Sequence, residues 1–322
     1  MNEFDALKAA FCHAEDAPLM PLLPGSAQAR VVEPYFNRYG LTPLWCGAAH
    51  VYAGFIESGR FSLWCQVWSP RDPVGSAFVM HGYFDHLGLY RHLLARLLAR
   101  GWRVVLWDLP GHGLSSGERA AIDNFDDYRH CLHVVQAALT AQALVLAPWV
   151  GIGQSTGAAI LATDALCLQD AAPWAGLVLL APLVRPQKWH RVSALHRLAS
   201  PFVRSVPRHY RPNSTDADFV AFLRYQDPLQ PGQLNLAWVS AMRRWMPRLL
   251  AQPPSPLPVL ILQGEQDHTV DWRYNLGVLA TKFPRAEVHR HPLARHHLVN
   301  EAETIREALF APLVRFLDER AT

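Results

Sequence analysis

The 322-residue sequence has no continuous apolar stretch of about eighteen residues, the length a membrane-crossing helix requires. Met1 to Phe11 carries Glu3, Asp5 and Lys8 where a secretory signal would place an apolar core, which argues against such a signal. Cysteine is scarce. Cys12, Cys46, Cys65, Cys131 and Cys167 form an odd set of 5 without close pairs, so no disulfide framework is expected. Reduced thiols in the cytoplasm are the simplest account. Charge of one sign is not in excess: 30 Lys and Arg against 27 Asp and Glu leave +3. With no nucleic-acid-binding motif beside so small a surplus, no nucleic-acid partner is expected. Internal repeats and low-complexity tracts are also missing. What is present is a chain 50% hydrophobic, long enough to bury a large core as one domain with an insertion.

Strand-like apolar runs alternate with helical patterns for most of the length. Strands are expected at 51–55, 61–67, 77–80, 103–107, 147–152, 177–180, 259–262 and 287–290, the first two joined as an antiparallel hairpin across Glu57-Ser58-Gly59-Arg60. Helical spacing fits 87–100, 125–140, 156–168, 272–282 and 301–317. This pattern implies an α/β fold with a mostly parallel eight-stranded sheet and helices on both faces. Residues 1–47 hold several prolines and little periodicity, and are expected to be an irregular segment on the surface.

Between the run that ends at Ile152 and the helix that begins at Thr156 stands Gly151-Ile152-Gly153-Gln154-Ser155-Thr156-Gly157, a G-x-S-x-G pattern. A sharp strand-to-helix turn there pushes the Ser155 hydroxyl out of the backbone, and Gly153 and Gly157 leave room for the close approach. The same turn aims the first helical N–H groups at an oxygen bound beside Ser155. A serine acyl-transfer enzyme needs this arrangement, although a serine falling by chance in a glycine-rich turn gives the same pentapeptide. In open sheets of this kind ligands bind beyond the carboxyl ends of the strands. Polar segments follow those ends: His81-Gly82-Tyr83, then Asp108-Leu109-Pro110-Gly111-His112-Gly113-Leu114-Ser115, then Gln263-Gly264-Glu265-Gln266-Asp267-His268-Thr269-Val270, and last Ala294-Arg295-His296-His297-Leu298.

In this order the segments resemble the α/β-hydrolase superfamily, closest to its monoacylglycerol lipase, lysophospholipase and serine-aminopeptidase-like branch. The resemblance runs from about Gly75 to the C-terminus and is weakest through the middle. It implies Ser155 as nucleophile, Asp267 as acid and His296 as base, in the chain order expected of the fold. A serine hydroxyl is a poor nucleophile until an imidazole takes its proton, and a carboxylate holds that imidazole in one tautomer. The resemblance also makes the backbone N–H groups of Tyr83 and Thr156 the oxyanion donors. Tyr83 is bulkier than the small residue expected there. This chemistry calls for no cofactor and no metal.

His297 satisfies the same spacing as His296, but the family pattern favours the histidine directly after Ala-Arg. Asp271 competes with Asp267, yet its place before a helix suits an N-cap. His112 reads as a turn residue near the site. His289, His291, His296 and His297 lack the spacing of a zinc signature. A binding protein that kept the pocket and lost turnover is disfavoured by the presence of every triad member. A carboxylate nucleophile, as in related dehalogenases and epoxide hydrolases, is disfavoured by Ser155.

Residues 182–250 interrupt the alternation and are expected to form a helical cap inserted between core parts 1–181 and 251–322. The stretch has 11 Lys or Arg and 3 Asp, a balance of +8 within a chain of +3. Trp189, Val192, Leu195, Ala199, Phe202 and Val203 form an apolar stripe, with Arg191, Arg197, Arg204 and Arg208 nearby. A basic amphipathic helix of this kind suits transient contact with an anionic membrane surface or guidance of an anionic substrate, and equally suits packing on the core. Asp227, in a family-like Asp-Pro-Leu element, reads as structural. Trp189, Phe202, Phe222 and Trp238 are the candidate substrate-binding residues for an acyl chain. The expected substrate is a lysophospholipid or monoacylglycerol. Small-molecule esters, thioesters or lactones are the alternative, and cleavage from a free amino terminus would need an acidic anchor.

Overall fold

The computed structural model describes residues 3–11, 18–48 and 50–321. The chain opens with α1 (Glu3–Phe11), β1 (Leu19–Pro21), α2 (Ala27–Tyr39) and α3 (Thr42–Gly47). The hairpin β2 (His50–Ser58) and β3 (Phe61–Ser69) follows, then β4 (Gly75–Met80), α4 (Arg91–Ala99), β5 (Trp102–Trp107) and α5 (Phe125–Ala141). Next come β6 (Trp149–Gln154), α6 (Thr156–Leu168) and β7 (Trp174–Leu180). An insertion then holds α7 (Trp189–Ala199), β8 (Ser205–Pro207), α8 (Ala217–Tyr225), β9 (Gln233–Asn235) and α9 (Leu236–Ala251). The chain closes with β10 (Val259–Gly264), α10 (Trp272–Lys282), β11 (Glu287–His291) and α11 (Glu303–Asp318).

The main sheet has 9 strands in the order β1-β2-β3-β5-β4-β6-β7-β10-β11, one more than expected, because Leu19–Pro21 adds antiparallel to the β2 edge. From β5 to β11 every pairing is parallel. β5 lies on one side of β4 and β6 on the other, so the loops leaving β4 and β6 diverge and open a crevice at their carboxyl ends. Met80 stands in register with Gly153, which brings the two loops to the same level. One apolar cluster joins the sheet to α5, α6, α9 and α10; the other joins it to α1, α2, α4 and α11.

Residues 1–47 are not irregular over the part described. Their prolines hide the helical period: Pro34 lies inside α2 and Pro43 in the first turn of α3. Val32, Tyr35, Phe36 and Tyr39 still recur at helical spacing and are buried, with the Phe36 ring 5.1 Å from Trp68 of β3. The insertion is not wholly helical, since β8 and β9 pair as a ribbon. Cys46, Cys65, Cys131 and Cys167 are free thiols, and Cys12 lies outside the described residues. No helix among the described residues is long and apolar enough to cross a membrane. Phe36→Ala is expected to destabilise the whole domain by about 3–5 kcal/mol in denaturant unfolding. A change within about 0.5 kcal/mol would mean the N-terminal helices are only loosely attached.

Candidate active site

Ser155 links β6 to α6 with φ 53° and ψ −106°, a left-handed-side conformation strained for a residue with a side chain. The turn is as tight as it is because strand and helix nearly touch. A Cβ on Gly153 would fall 2.4 Å from Ala158 N, and one on Gly157 2.2 Å from Met80 O. The Ser155 N–H donates to Leu180 O of β7 (2.8 Å), locking the corner to the neighbouring strand. Immediately before it, Gln154 Nε2 donates to the carbonyl of His296 (2.7 Å), which ties the histidine loop to the same corner. His296 Nδ1 and Asp267 Oδ2 are 2.7 Å apart and buried. The other Asp267 oxygen accepts from the N–H groups of Thr269 (2.8 Å) and Val270 (3.1 Å), and Gln263 Nε2 reaches Oδ2 at 3.1 Å.

These contacts shift both groups. Burial by itself raises the Asp267 carboxyl, but the adjacent His296 and the two amides outweigh it, and its pKa lies below the ordinary range. Burial also disfavours the His296 cation, yet Asp267 overrides it and raises the imidazole above its usual value. With Nδ1–H given to the carboxylate, Nε2 is the ring nitrogen left to accept a proton. No hydrogen bond joins Ser155 Oγ to His296 in this structure; such bonds tighten when substrate is bound.

The loop after β4 is pinned from several sides. His81 Nε2 accepts from Leu109 N (2.8 Å), so its Nδ1–H donates to Gly82 O (2.8 Å). Burial and neighbouring His112 lower the His81 pKa to about 3, keeping that ring neutral. Gly82 O is therefore drawn towards the His81 ring. The N–H of Tyr83, in the same trans peptide, must point the opposite way. Gly82 N–H is held by Asp85 Oδ2 and Tyr90 Oη, each at 3.3 Å. A Cβ on Gly82 would sit 3.3 Å from Ser155 Cβ, so the loop lies directly against the serine. Neither Tyr83 N–H nor Thr156 N–H has an acceptor among the described residues.

A family model described as serine aminopeptidase, S33, matches residues 71–303. The chain belongs to that family. Rat (Rattus norvegicus) monoglyceride lipase is 29% identical over 225 residues, spanning 65% of this chain and 71% of that protein. A monoglyceride lipase homolog of monkeypox virus is 25% identical over 268 residues, spanning 80% of this chain and 95% of that one. A solved soluble variant of monoglyceride lipase from Saccharomyces cerevisiae, in complex with a substrate analog, has a TM-score of 0.71 at 18% identity, covering 83% of this chain and 95% of that one. The protein is an α/β-hydrolase and a serine hydrolase.

In this hydrolase the two adjacent histidines face opposite ways. His297 Nε2 stands 3.2 Å from Asp85 Oδ2, with its ring against Phe219 (4.8 Å) and Tyr90 (6.0 Å), and so has no access to Asp267. Asp271 caps α10 and pairs with Arg185. His112 is buried against His81 and Tyr83, its pKa lowered to about 4 by burial. His289 and His291 are engaged elsewhere, and no group of three metal-ligating side chains forms among the described residues.

The four candidate substrate residues separate. Trp238 of α9 stacks on the Tyr83 ring (4.0 Å), and Trp189 is buried in the cluster beside it. Phe222 instead faces Tyr39 and lines a separate cavity of about 450 Å³ with Arg91, His92, Asp218 and Phe219. Phe202 does not line a pocket near Ser155: it is 87% exposed, because α7 ends at Ala199 and the chain turns outward at Ser200 and Pro201. The sequence assigned no role to His81, Asp85, Tyr90, Gln154 or Gln263, although His81, Gln154 and Gln263 stand within its motif segments. His81 and Gln154, each at the end or edge of a strand next to a motif residue, carried a readable signal; Asp85 and Tyr90 did not. NMR titration of the His296 ring should give a pKa above the ordinary value of about 6.5. Asp267→Asn should bring it down, and an unchanged titration would mean that the pair does not form in solution.

Proposed function

We propose that this serine hydrolase cleaves the carboxylic ester of a single-chain lipid, a lysophospholipid or monoacylglycerol, through an acyl-enzyme on Ser155. The observation that carries the reading is the buried His296–Asp267 pair at 2.7 Å, tied through Gln154 to the strained corner that bears Ser155. Ser155 Oγ attacks the ester carbonyl while His296 Nε2 takes its proton, and Asp267 stabilises the imidazolium that results. The carbonyl oxygen gathers negative charge against the Tyr83 and Thr156 N–H groups, which have no other acceptor among the described residues. Each such donor is worth roughly 3–4 kcal/mol in the transition state. His296 returns the proton to the departing alcohol oxygen, and a water molecule then repeats the sequence on the acyl-enzyme.

A lipid substrate is supported by the outer face of the cap. Leu195 is 67%, Leu198 73% and Phe202 87% exposed, while Trp189 and His196 of the same helix face inward. Arg191, Arg197 and Arg204 flank the exposed groups and are themselves exposed. Large apolar side chains in water beside a row of cations fit shallow insertion among anionic lipids, where burial of each contributes about 1.5–3 kcal/mol. Amide cleavage at a free amino terminus is less well supported. Asp227 is already held by Tyr39 and His86, and Asp216 caps α8, which leaves the cap little acid for an amine.

Hydrolysis of p-nitrophenyl esters from acetate to palmitate should favour medium or long chains and fall by roughly 10⁴-fold or more in Ser155→Ala. The wild-type kcat/KM should rise with pH through the raised His296 pKa, since only the neutral ring accepts a proton. Activity confined to acetate and butyrate would favour a small-molecule esterase. Leu198→Asp should reduce sedimentation with phosphatidylglycerol vesicles, and should slow hydrolysis of vesicle-borne ester more than of a dissolved short-chain ester. Equal effects on both would argue against docking through this face.

A further inference from the structure

Three arginines of the insertion stand over aromatic rings, Arg185, Arg208 and Arg224, the last over its neighbour Tyr225, and the first two are set apart by their hydrogen-bond partners. The Arg185 guanidinium is 3.5 Å from the centre of the Tyr274 ring, and its Nε and Nη2 both donate to Asp271 Oδ2, at 2.9 and 2.6 Å. This is the edge on which a guanidinium grips an anion. Arg208 lies 4.2 Å from the Phe84 ring and 4.4 Å from the Tyr210 ring. Its Nη1 donates to Gln230 Oε1 (2.6 Å) and reaches Pro231 O (3.5 Å). Its Nε and Nη2 have no acceptor among the described residues, and no carboxylate there stands at ion-pair distance from it. The side chain is firmly held, because Gln230 Nε2 donates to Asp227 Oδ2 (2.9 Å), itself fixed by His86 (3.0 Å).

Asp85 and Asp227 are carboxylates whose fields reach Arg208. Both are committed elsewhere, Asp85 to Gly82, Tyr90 and His297, and Asp227 to Tyr39, His86, Leu229 and Gln230. Burial lowers the Arg208 pKa, but a guanidinium stays charged. A half-buried, firmly held guanidinium with an open gripping edge is prepared to take an anion. Its position suggests what that is. Phe84 packs on Tyr83 (4.2 Å) and follows Gly82, whose turn lies against Ser155, so a single ring separates Arg208 from the loop after β4.

We propose that the Nε–Nη2 edge of Arg208 binds a phosphate ester on the alcohol portion of the substrate, so that lysophospholipids are preferred over neutral monoacylglycerols. This rests on the single-chain lipid reading above. The two acidic oxygens of a phosphate match the fork of the guanidinium, whereas the hydroxyls of a monoacylglycerol offer it no charge. Tyr210 and Phe84 exclude water from the faces of the guanidinium and strengthen the contact.

The deciding experiment is calorimetric binding to Ser155→Ala, which needs no turnover. Dodecyl phosphate, 1-O-dodecylglycerol and inorganic phosphate serve as probes, with and without Arg208→Gln. Arg208→Gln should weaken dodecyl phosphate roughly 10- to 100-fold more than it weakens 1-O-dodecylglycerol. Equal weakening of both, or of neither, overturns the proposal. Inorganic phosphate binding as tightly as dodecyl phosphate overturns it too, since the site would then serve the free ion. Should Arg208→Gln fail to fold, Arg208→Lys keeps the charge without the fork and should still lose most of the preference; full retention overturns the assignment. Kinetics with lysophosphatidic acid and monoacylglycerol separate this proposal from the one it rests on. Hydrolysis of neither, with selective phosphate binding intact, sinks the lipid-ester reading alone. Hydrolysis of both at a ratio that Arg208→Gln leaves unchanged sinks the phosphate subsite alone.

Discussion

The backbone of Ser155 is held where a side-chain-bearing residue does not rest on its own, at a cost of about 1–3 kcal/mol. Everything in the site is referred to that corner. The strain is sustained because α6 approaches β6 too closely for a side chain at Gly153 and the end of β4 too closely for one at Gly157, and because β7 takes the Ser155 N–H. From the same corner, Gln154 reaches the His296 carbonyl and the Gly82 turn lies against the serine side chain. A relaxed turn would withdraw the hydroxyl, the Thr156 N–H and the anchor of the histidine loop together. The parallel sheet therefore does more than fill the core: its register decides where three separate loops meet.

Those loops are built around buried carboxylates rather than apolar contacts alone. Asp267 takes two backbone N–H groups of its own loop, Asp108 takes those of Leu87 and Leu114, and Asp85 takes that of Gly82. A buried carboxylate accepting backbone donors is satisfied only in one geometry, and leaving it unsatisfied is costly. Such groups therefore select a single loop conformation where hydrophobic packing would accept several. The adjacent pair His296 and His297 shows the result. The chain turns tightly at His297 (φ −91°, ψ 73°), where Leu298 N–H donates to His296 O (3.2 Å), and one ring meets Asp267 while the next meets Asp85.

Much of this was legible in the sequence, and for identifiable reasons. Strands buried on both faces read as continuous apolar runs, so 259–262 and 103–107 fall within β10 and β5. The helix expected at 272–282 coincides with α10, whose start is marked by the Asp271 cap. The elbow was readable because its glycines and serine are local in sequence. The N-terminal helices were not readable, since Pro34 and Pro43 stand where prolines normally signal a break. The partner of His297 was beyond reach as well, because Asp85 belongs to a distant loop and only the strand order brings the two together. From Trp189 to Phe202 the apolar spacing was real but ambiguous: Trp189 and Val192 turn towards the core while Leu195 and, beyond the end of α7, Phe202 do not, and spacing alone does not say which side the core occupies.

The basic character of the insertion illustrates why a net charge is a poor guide to function until each charge is placed. Arg185 pairs with Asp271 and Arg248 with Asp126, and Arg244 donates to Asp123 O, so these arginines hold the insertion to the core. Arg191, Arg197 and Arg204 stand in solvent around exposed apolar side chains, where their effect is long-ranged and weakened by salt. Arg208 alone among these is half-buried, stacked and without a carboxylate at contact distance. These seven arginines thus divide into three docking contacts, three that make a diffuse surface field and one localised charge beside the loop after β4. A charge in the last class acts on substrate choice in proportion to how little water surrounds it. On the proposed reading, attraction to a lipid surface and discrimination among its molecules fall to different arginines of the same segment, and salt should weaken the first far more than the second.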